Sequence, residues 1–169
     1  MDKDLVIEEP RFEEDKVRTE RDFDEMGWLD ATFHGIAFFP EKYEIALDID
    51  YIFEWLNSEE RKGYYDFRVA PATLVFENIH NFVFDMGEAY RTLQIKYIER
   101  TDPRKPPNAE YIEKETEWKW TIEFEFGHIS FYSVGFKQFI RKEPLLIRSQ
   151  TLSLEDRGGI NFERIGFSG

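Results

Sequence analysis

Cysteine is absent from this chain of 169 residues. Disulfides, thiolate metal ligands and a cysteine nucleophile are therefore excluded. Long apolar runs are also absent: the longest, such as residues 69–76, have the length of a strand and fall well short of the roughly 20 residues that span a bilayer. The first residues carry no apolar core typical of a signal peptide. We therefore expect a cytoplasmic protein with no membrane association.

Basic residues are few. The chain has 22 Lys and Arg against 35 Asp and Glu, which gives a formal net charge of −13. Such a charge repels phosphate backbones, so we expect no binding to nucleic acid. The same charge either keeps the protein soluble or attracts a basic protein partner.

Catalytic signatures are missing as well. The sequence contains no G-x-S-x-G, no G-x-x-x-x-G-K-[ST] and no G-x-G-x-x-G, which are the usual motifs for a serine nucleophile, a phosphate loop and a dinucleotide site. Its three histidines have no partner at metal-ligand spacing. We therefore expect neither a metal nor a cofactor, and the sequence favours a non-enzymatic protein.

Alternating apolar and polar residues are abundant instead. Residues 43–50 alternate with a period of two, which predicts a half-buried strand. Further strands are predicted at 30–39, 64–69, 72–76, 79–84, 93–98, 136–140 and 145–151. Residues 49–56 also fit a helical face, and 102–108 fit a loop because of their prolines. Eight to ten short strands with few helices predict an all-β or β-rich α+β fold, with antiparallel strands in a sandwich or an open, barrel-like sheet.

One strand is strongly aromatic on one face. Its apolar positions are Trp118, Trp120, Ile122, Phe124 and Phe126. Gly127-His128 fits a two-residue hairpin turn, and this register places Phe126 opposite Ile129 and Phe124 opposite Phe131. Soluble proteins rarely expose an apolar patch of this size, so we expect the face to be covered.

The two ends of the chain differ in composition. Residues 1–26 hold eleven acids and five bases, and they form either a charged arm or an edge element. Residues 27–169 are expected to form a single β-rich domain.

His34 offers the one candidate catalytic constellation. A three-residue loop at 40–42 would place His34 opposite Asp48 and Thr32 opposite Asp50 in a hairpin. An imidazole beside a carboxylate is suited to general-base chemistry or to metal binding, whereas a pair that holds the hairpin together is the structural alternative.

Three sequence segments resemble a group of uncharacterised bacterial proteins. They are G-W-L-D-A-T-F-H-G-I at 27–36, L-D-I-D-Y-I at 47–52 and P-A-T-L-V-F-E-N at 71–78. The opening is more remotely similar to immunity proteins of bacterial polymorphic toxin systems, with Leu29 in place of their histidine. The resemblance implies a bacterial, β-rich, cytoplasmic protein.

Three functions follow as hypotheses. The first is a protein-binding module, immunity-like, that neutralises a basic partner by charge complementarity. The second is a β-domain that binds a small ligand or a sugar on an aromatic-lined sheet. The third is a hydrolase centred on His34, with Asp48 and Asp50 as the accompanying carboxylates.

Overall fold

The computed structural model describes residues 16–87 and 92–167, and these form a β-rich fold. The strands are β1 (Val17–Thr19), β2 (Thr32–Phe39), β3 (Glu44–Asn57), β4 (Tyr65–Glu77), β5 (His80–Met86), β6 (Leu93–Arg104), β7 (Glu117–Phe124), β8 (Gly127–Ser133), β9 (Gly135–Ile140) and β10 (Leu145–Ile147). The helical elements are short: 3₁₀ helices at Glu20–Glu25 and Pro40–Lys42, and single α-helical turns α1 (Ala109–Ile112) and α2 (Leu154–Arg157). The predicted all-β fold with few short helices is confirmed.

All ten strands belong to one antiparallel sheet. Their order is β1-β9-β4-β3-β2-β6-β7-β8-β5, and β10 pairs separately with β4. The sheet does not close into a barrel, but it curls until strands from its two halves pack face to face. Phe76 of β4 contacts Phe131 of β8, with ring centroids 4.7 Å apart, and Trp120 of β7 contacts Phe136 of β9 at 5.7 Å. Of the two predicted architectures, the open, barrel-like sheet is the one adopted.

The aromatic face of β7 lies inside this curl. Trp120 and Ile122 are fully buried, and Phe124 is 1% exposed. The indole N–H of Trp120 donates to the carbonyl oxygen of Ser133 at 3.0 Å, so its one polar atom has a partner in the core. The expectation that this face is covered is confirmed for these three residues, whereas Trp118 is half-buried and Phe126, in the turn, is 37% exposed.

The predicted register of the β7–β8 hairpin is wrong. Phe124 pairs with Gly127, and Trp120 is the residue opposite Phe131, so the turn is Glu125-Phe126. A Cβ atom on Gly127 would lie 2.2 Å from the carbonyl oxygen of Asp85; the glycine is therefore needed inside β8, where β5 approaches closely. The register differs by an even number of residues, so the same side chains still face the core.

The structure also settles one ambiguous segment and corrects two local predictions. Residues 49–56, which fit a helix as well as a strand, continue β3 to Asn57. The predicted loop at 102–108 is shorter than expected, because β6 runs to Arg104 and α1 begins at Ala109. The predicted strand 145–151 ends at Ile147.

The described part of the acidic N-terminal segment packs on the sheet. β1 pairs with β9 at the edge of the sheet, and the following 3₁₀ helix places Phe23 against Trp120, with ring centroids 5.3 Å apart. Residues 1–15 lie outside the described residues. The domain boundary at residue 26 stays a prediction.

Candidate functional site

The candidate residues of the sequence meet on the face of β3 that points away from the aromatic core. Residues 45, 47, 49 and 51 face the core, so Asp48 and Asp50 project from the opposite side of the strand. Thr32 lies opposite Asp50 as predicted. The pairing of His34 with Asp48 is wrong, because a β-bulge between Phe33 and Gly35 places Gly35 opposite Asp48.

The bulge turns His34 towards Asp50 instead. His34 donates from Nε2 to Oδ2 of Asp50 at 2.8 Å. The same oxygen accepts from the backbone N–H of Leu152 at 3.0 Å, and the other oxygen, Oδ1, accepts from Nε of Arg157 at 3.0 Å. A histidine–carboxylate pair is therefore present, but its carboxylate is fully buried and serves three donors.

Asp48 is held even more extensively. Arg157 donates to its two oxygens from Nη2 and Nη1, at 2.6 and 2.8 Å. Arg141 donates from Nη2 at 2.7 Å, and the backbone N–H of Asn161 donates at 3.1 Å. The side chains of Asp48 and Arg157 are fully buried, and that of Arg141 is 3% exposed.

Arg157 keeps its charge in this interior. Burial acts to lower the pKa of its guanidinium, but the hydrogen bonds and negative charges of Asp48 and Asp50 outweigh that effect and raise the pKa above its ordinary value. Buried charges are tolerated where they are paired and their remaining polar atoms are hydrogen-bonded. This network of Asp48, Asp50, Arg141 and Arg157 meets that condition at both carboxylates.

The network fastens the C-terminal segment, residues 142–167, to the sheet. Arg157 lies in α2 of that segment, and Leu152 and Asn161 supply backbone donors from either side of it. Thr73 of β4 adds a further tie, because its hydroxyl donates to the carbonyl oxygen of Glu163 at 2.6 Å. The pairing of β10 with β4 and the burial of Leu152 against β3 and β4 also hold the segment, so the network is one of several attachments.

The arrangement is suited to structural rather than catalytic work. The oxygens of Asp48 and Asp50 accept from protein donors, and their side chains have no solvent exposure, so a substrate has no access to them. Three cavities of about 130, 310 and 550 Å³ are lined by other residues. Within residues 16–87 and 92–167, no group of three His, Asp or Glu side chains is arranged to hold a metal ion.

A second cluster that sequence reasoning missed surrounds Glu117. The carboxylate of Glu117 is fully buried, and it accepts from Nε2 of His80 at 2.7 Å and from Nε of Arg104 at 3.2 Å. Arg104 also lies 3.6 Å from the ring centroid of Tyr132, and the Tyr132 hydroxyl donates to Asp102 at 2.7 Å. Glu117 has the alternating position of a solvent-facing residue in β7, so the sequence pattern gave no signal that it is buried.

Next to this cluster, two rows of side chains run across the outside of four strands. The first row is Tyr97, Glu123, His128 and Asp85; the second is Glu99, Thr121, Ser130 and Val83. We call these eight residues the outer face. They include three carboxylates and no lysine or arginine. Tyr97 and Val83 are 46% and 47% exposed.

Comparison with protein-family models, curated proteins and solved structures found no match to the chain. Among the described residues, none of the helices has the length and apolar character needed to cross a bilayer.

Proposed function

We propose that the protein is a non-enzymatic binding module, immunity-like, whose outer face binds a basic surface of a partner protein. The observation that carries the proposal is the double row of the outer face, where Glu99, Glu123 and Asp85 lie on a rigid sheet without a neighbouring lysine or arginine in either row. Complementary potentials of this kind steer association and determine the choice of partner.

The electrostatic environment of Tyr97 supports this proposal. Partial burial raises the pKa of its phenol, and the negative charges of Glu123 and Glu99 raise it further. The carboxylates therefore act together on one exposed aromatic side chain. Tyrosine is enriched at the centres of protein interfaces, because it offers a large rigid surface with one polar group.

The buried network supports a non-enzymatic role by a separate argument. Asp48 and Asp50, the carboxylates that a hydrolase centred on His34 would use, are fully buried and bonded to arginines. A charge pair that serves to fix a segment cannot also bind a substrate without releasing that segment. Trp120, the centre of the predicted aromatic platform for sugars, is also fully buried.

A capture experiment with charge-reversed protein tests the proposal. The wild-type protein and the variant Glu99→Lys/Glu123→Lys are immobilised and incubated with an extract of the organism that encodes the chain, at low and high salt. The control is Glu41→Lys/Glu110→Lys, which makes the same change of net charge at two exposed residues away from the outer face.

We expect the wild type and the control to retain one basic protein that the outer-face variant loses, and that high salt releases. Retention of the same protein by the outer-face variant would contradict the assigned surface. Failure of the wild type to retain any basic protein would contradict the proposed function.

A further inference from the structure

The smallest of the three cavities opens into the core between β1, β3 and β9. It has a volume of about 130 Å³ and is lined by Arg18, Glu25, Met26, Tyr51, Phe53 and Gln138. It shares no residue with the outer face or with the buried arginine network, so it is a separate feature of the molecule. Its inner wall carries two polar side chains, Gln138 and Tyr51.

Gln138 is 1% exposed and its orientation is determined by a neighbour. The indole N–H of Trp28 donates to Oε1 of Gln138 at 2.9 Å. Because the indole nitrogen is only a donor, the amide oxygen must face Trp28 and the NH₂ group must point the other way. In the described part of the chain, that NH₂ group has no hydrogen-bond acceptor. The Nε2 nitrogen is not one of the fully buried polar atoms that lack a partner, so it reaches solvent and can donate to a water or a ligand in the cavity.

The phenol of Tyr51 adds a second donor to the same cavity. Tyr51 is 8% exposed, and its oxygen accepts weakly from the backbone N–H of Gly27 at 3.4 Å. Among the described residues no acceptor lies within hydrogen-bond distance of the Tyr51 hydroxyl proton. Burial raises the pKa of this phenol, although the Gly27 contact and the charge of Arg18 oppose the effect. The phenol is therefore a neutral donor at physiological pH.

The rest of the lining decides the charge and polarity of a ligand. Met26 and Phe53 supply apolar wall. At the mouth, Arg18 lies 3.4 Å from Glu25 and 3.6 Å from Asp22, so its positive charge is already compensated. The lining is therefore of mixed polarity without an uncompensated charge, which suits a small neutral molecule with one strong acceptor and a short apolar part better than an ion.

We propose that this cavity is a binding site for a small neutral carbonyl compound, whose oxygen accepts hydrogen bonds from Gln138 Nε2 and the Tyr51 hydroxyl. An apolar protein cavity of about 150 Å³ holds benzene, so the ligand has about six to eight non-hydrogen atoms. The proposal does not depend on the basic partner, since the two sites lie on different strands.

The test uses a matched pair of probes and the protein's own amide signals. ¹H–¹⁵N spectra of the full chain are recorded during titration with 4-methyl-2-pentanone, and again with 4-methylpentan-2-amine, which replaces the carbonyl oxygen by an ammonium group. The reporters are the side-chain NH₂ of Gln138 and the indole N–H of Trp28. The indole N–H of Trp120 is an internal reference, because its acceptor is the Ser133 carbonyl within the core.

We expect the ketone to cause saturable shifts of the Gln138 and Trp28 signals while the Trp120 signal stays in place, and the amine to cause none. Tyr51→Phe, which removes only the hydroxyl, should weaken ketone binding about three- to tenfold, the value of one hydrogen bond. Tyr111→Phe makes the same change at a residue that is 81% exposed and should bind like the wild type.

Three results would overturn the proposal. The ketone could fail to shift the Gln138 signal up to its solubility limit. The amine could shift the same signals with equal affinity, which would indicate unspecific apolar binding. Tyr51→Phe could bind the ketone as tightly as the wild type does, which would remove the phenol from the site.

Discussion

Asp48→Asn should strongly destabilise the protein, because it removes the charge around which two buried arginines are arranged. Asp48 accepts four hydrogen bonds of 2.6–3.1 Å from Arg141, Arg157 and the backbone of Asn161. The asparagine keeps the shape but presents an NH₂ group to these donors. Removing one partner of a buried ion pair typically costs about 3–5 kcal/mol.

That cost is a large part of the total stability of a domain, roughly 5–15 kcal/mol. With a urea m-value of about 2 kcal/mol/M, the loss corresponds to a midpoint lower by about 1.5–2.5 M. Urea unfolding followed by tryptophan fluorescence measures it. The control Glu60→Gln neutralises an exposed carboxylate that pairs with the exposed Arg148, and it should leave the midpoint unchanged.

The same variant should loosen the C-terminal segment. Lys142 and Arg148 are exposed trypsin sites at the start of that segment, and the network holds the segment together with the β10–β4 pairing and the burial of Leu152. We expect trypsin to cleave Asp48→Asn there faster than it cleaves the wild type under native conditions. A midpoint shift of less than about 0.5 M with an unchanged m-value, together with wild-type cleavage, would refute the structural role of the network.

Four further predictions use different parts of the molecule. Phe124→Ala should lower the free energy of unfolding by about 3–5 kcal/mol through lost burial and a cavity, whereas Glu125→Ala in the exposed turn should lower it by less than about 0.5 kcal/mol. Urea unfolding measures both, and equal small decreases would mean that the aromatic face is not in the core. His34→Asn should lower the free energy of unfolding by about 1.5–3 kcal/mol, the value of one hydrogen bond to a charged group. It should leave partner capture intact, since Asp50 keeps two other donors. Loss of an activity without unfolding would favour a catalytic His34. Burial raises the pKa of Tyr51 above its ordinary value of 10.0. The contribution of the neutral phenol to stability is therefore complete below pH 10 and is lost as the pH rises through the raised pKa. Above pH 10 the melting temperature of the wild type should fall more steeply than that of Tyr51→Phe, and parallel curves would contradict this. Duplex DNA should show no gel shift at physiological salt, because a net charge of −13 repels the phosphates, and a salt-sensitive micromolar complex would contradict the expectation.

Local patterns in the sequence predicted where most strands lie and which side of β7 faces the core, but β3, predicted to be half-buried, is buried on both faces from Ile45 to Ile52. The alternation around Trp120 and Phe124 predicted a buried aromatic face, and both side chains are in the core. This burial was predicted correctly although the predicted hairpin register was wrong, because a shift by an even number of residues leaves each side chain on the same face of the strand. The alternation at 43–50 likewise placed Asp48 and Asp50 on one side of β3.

Only the tertiary structure decided what those two carboxylates contact. Arg141 and Arg157 lie 93 and 109 residues from Asp48, and Trp28 lies 110 residues from Gln138. Contacts at such separations leave no periodic trace in the sequence, because they depend on how the sheet curls and where the C-terminal segment crosses it. The bulge between Phe33 and Gly35 and the close approach of β5 to Gly127 likewise left no periodic signal in the sequence. The partner of His34 and the register of the β7–β8 hairpin were therefore decided by the tertiary structure.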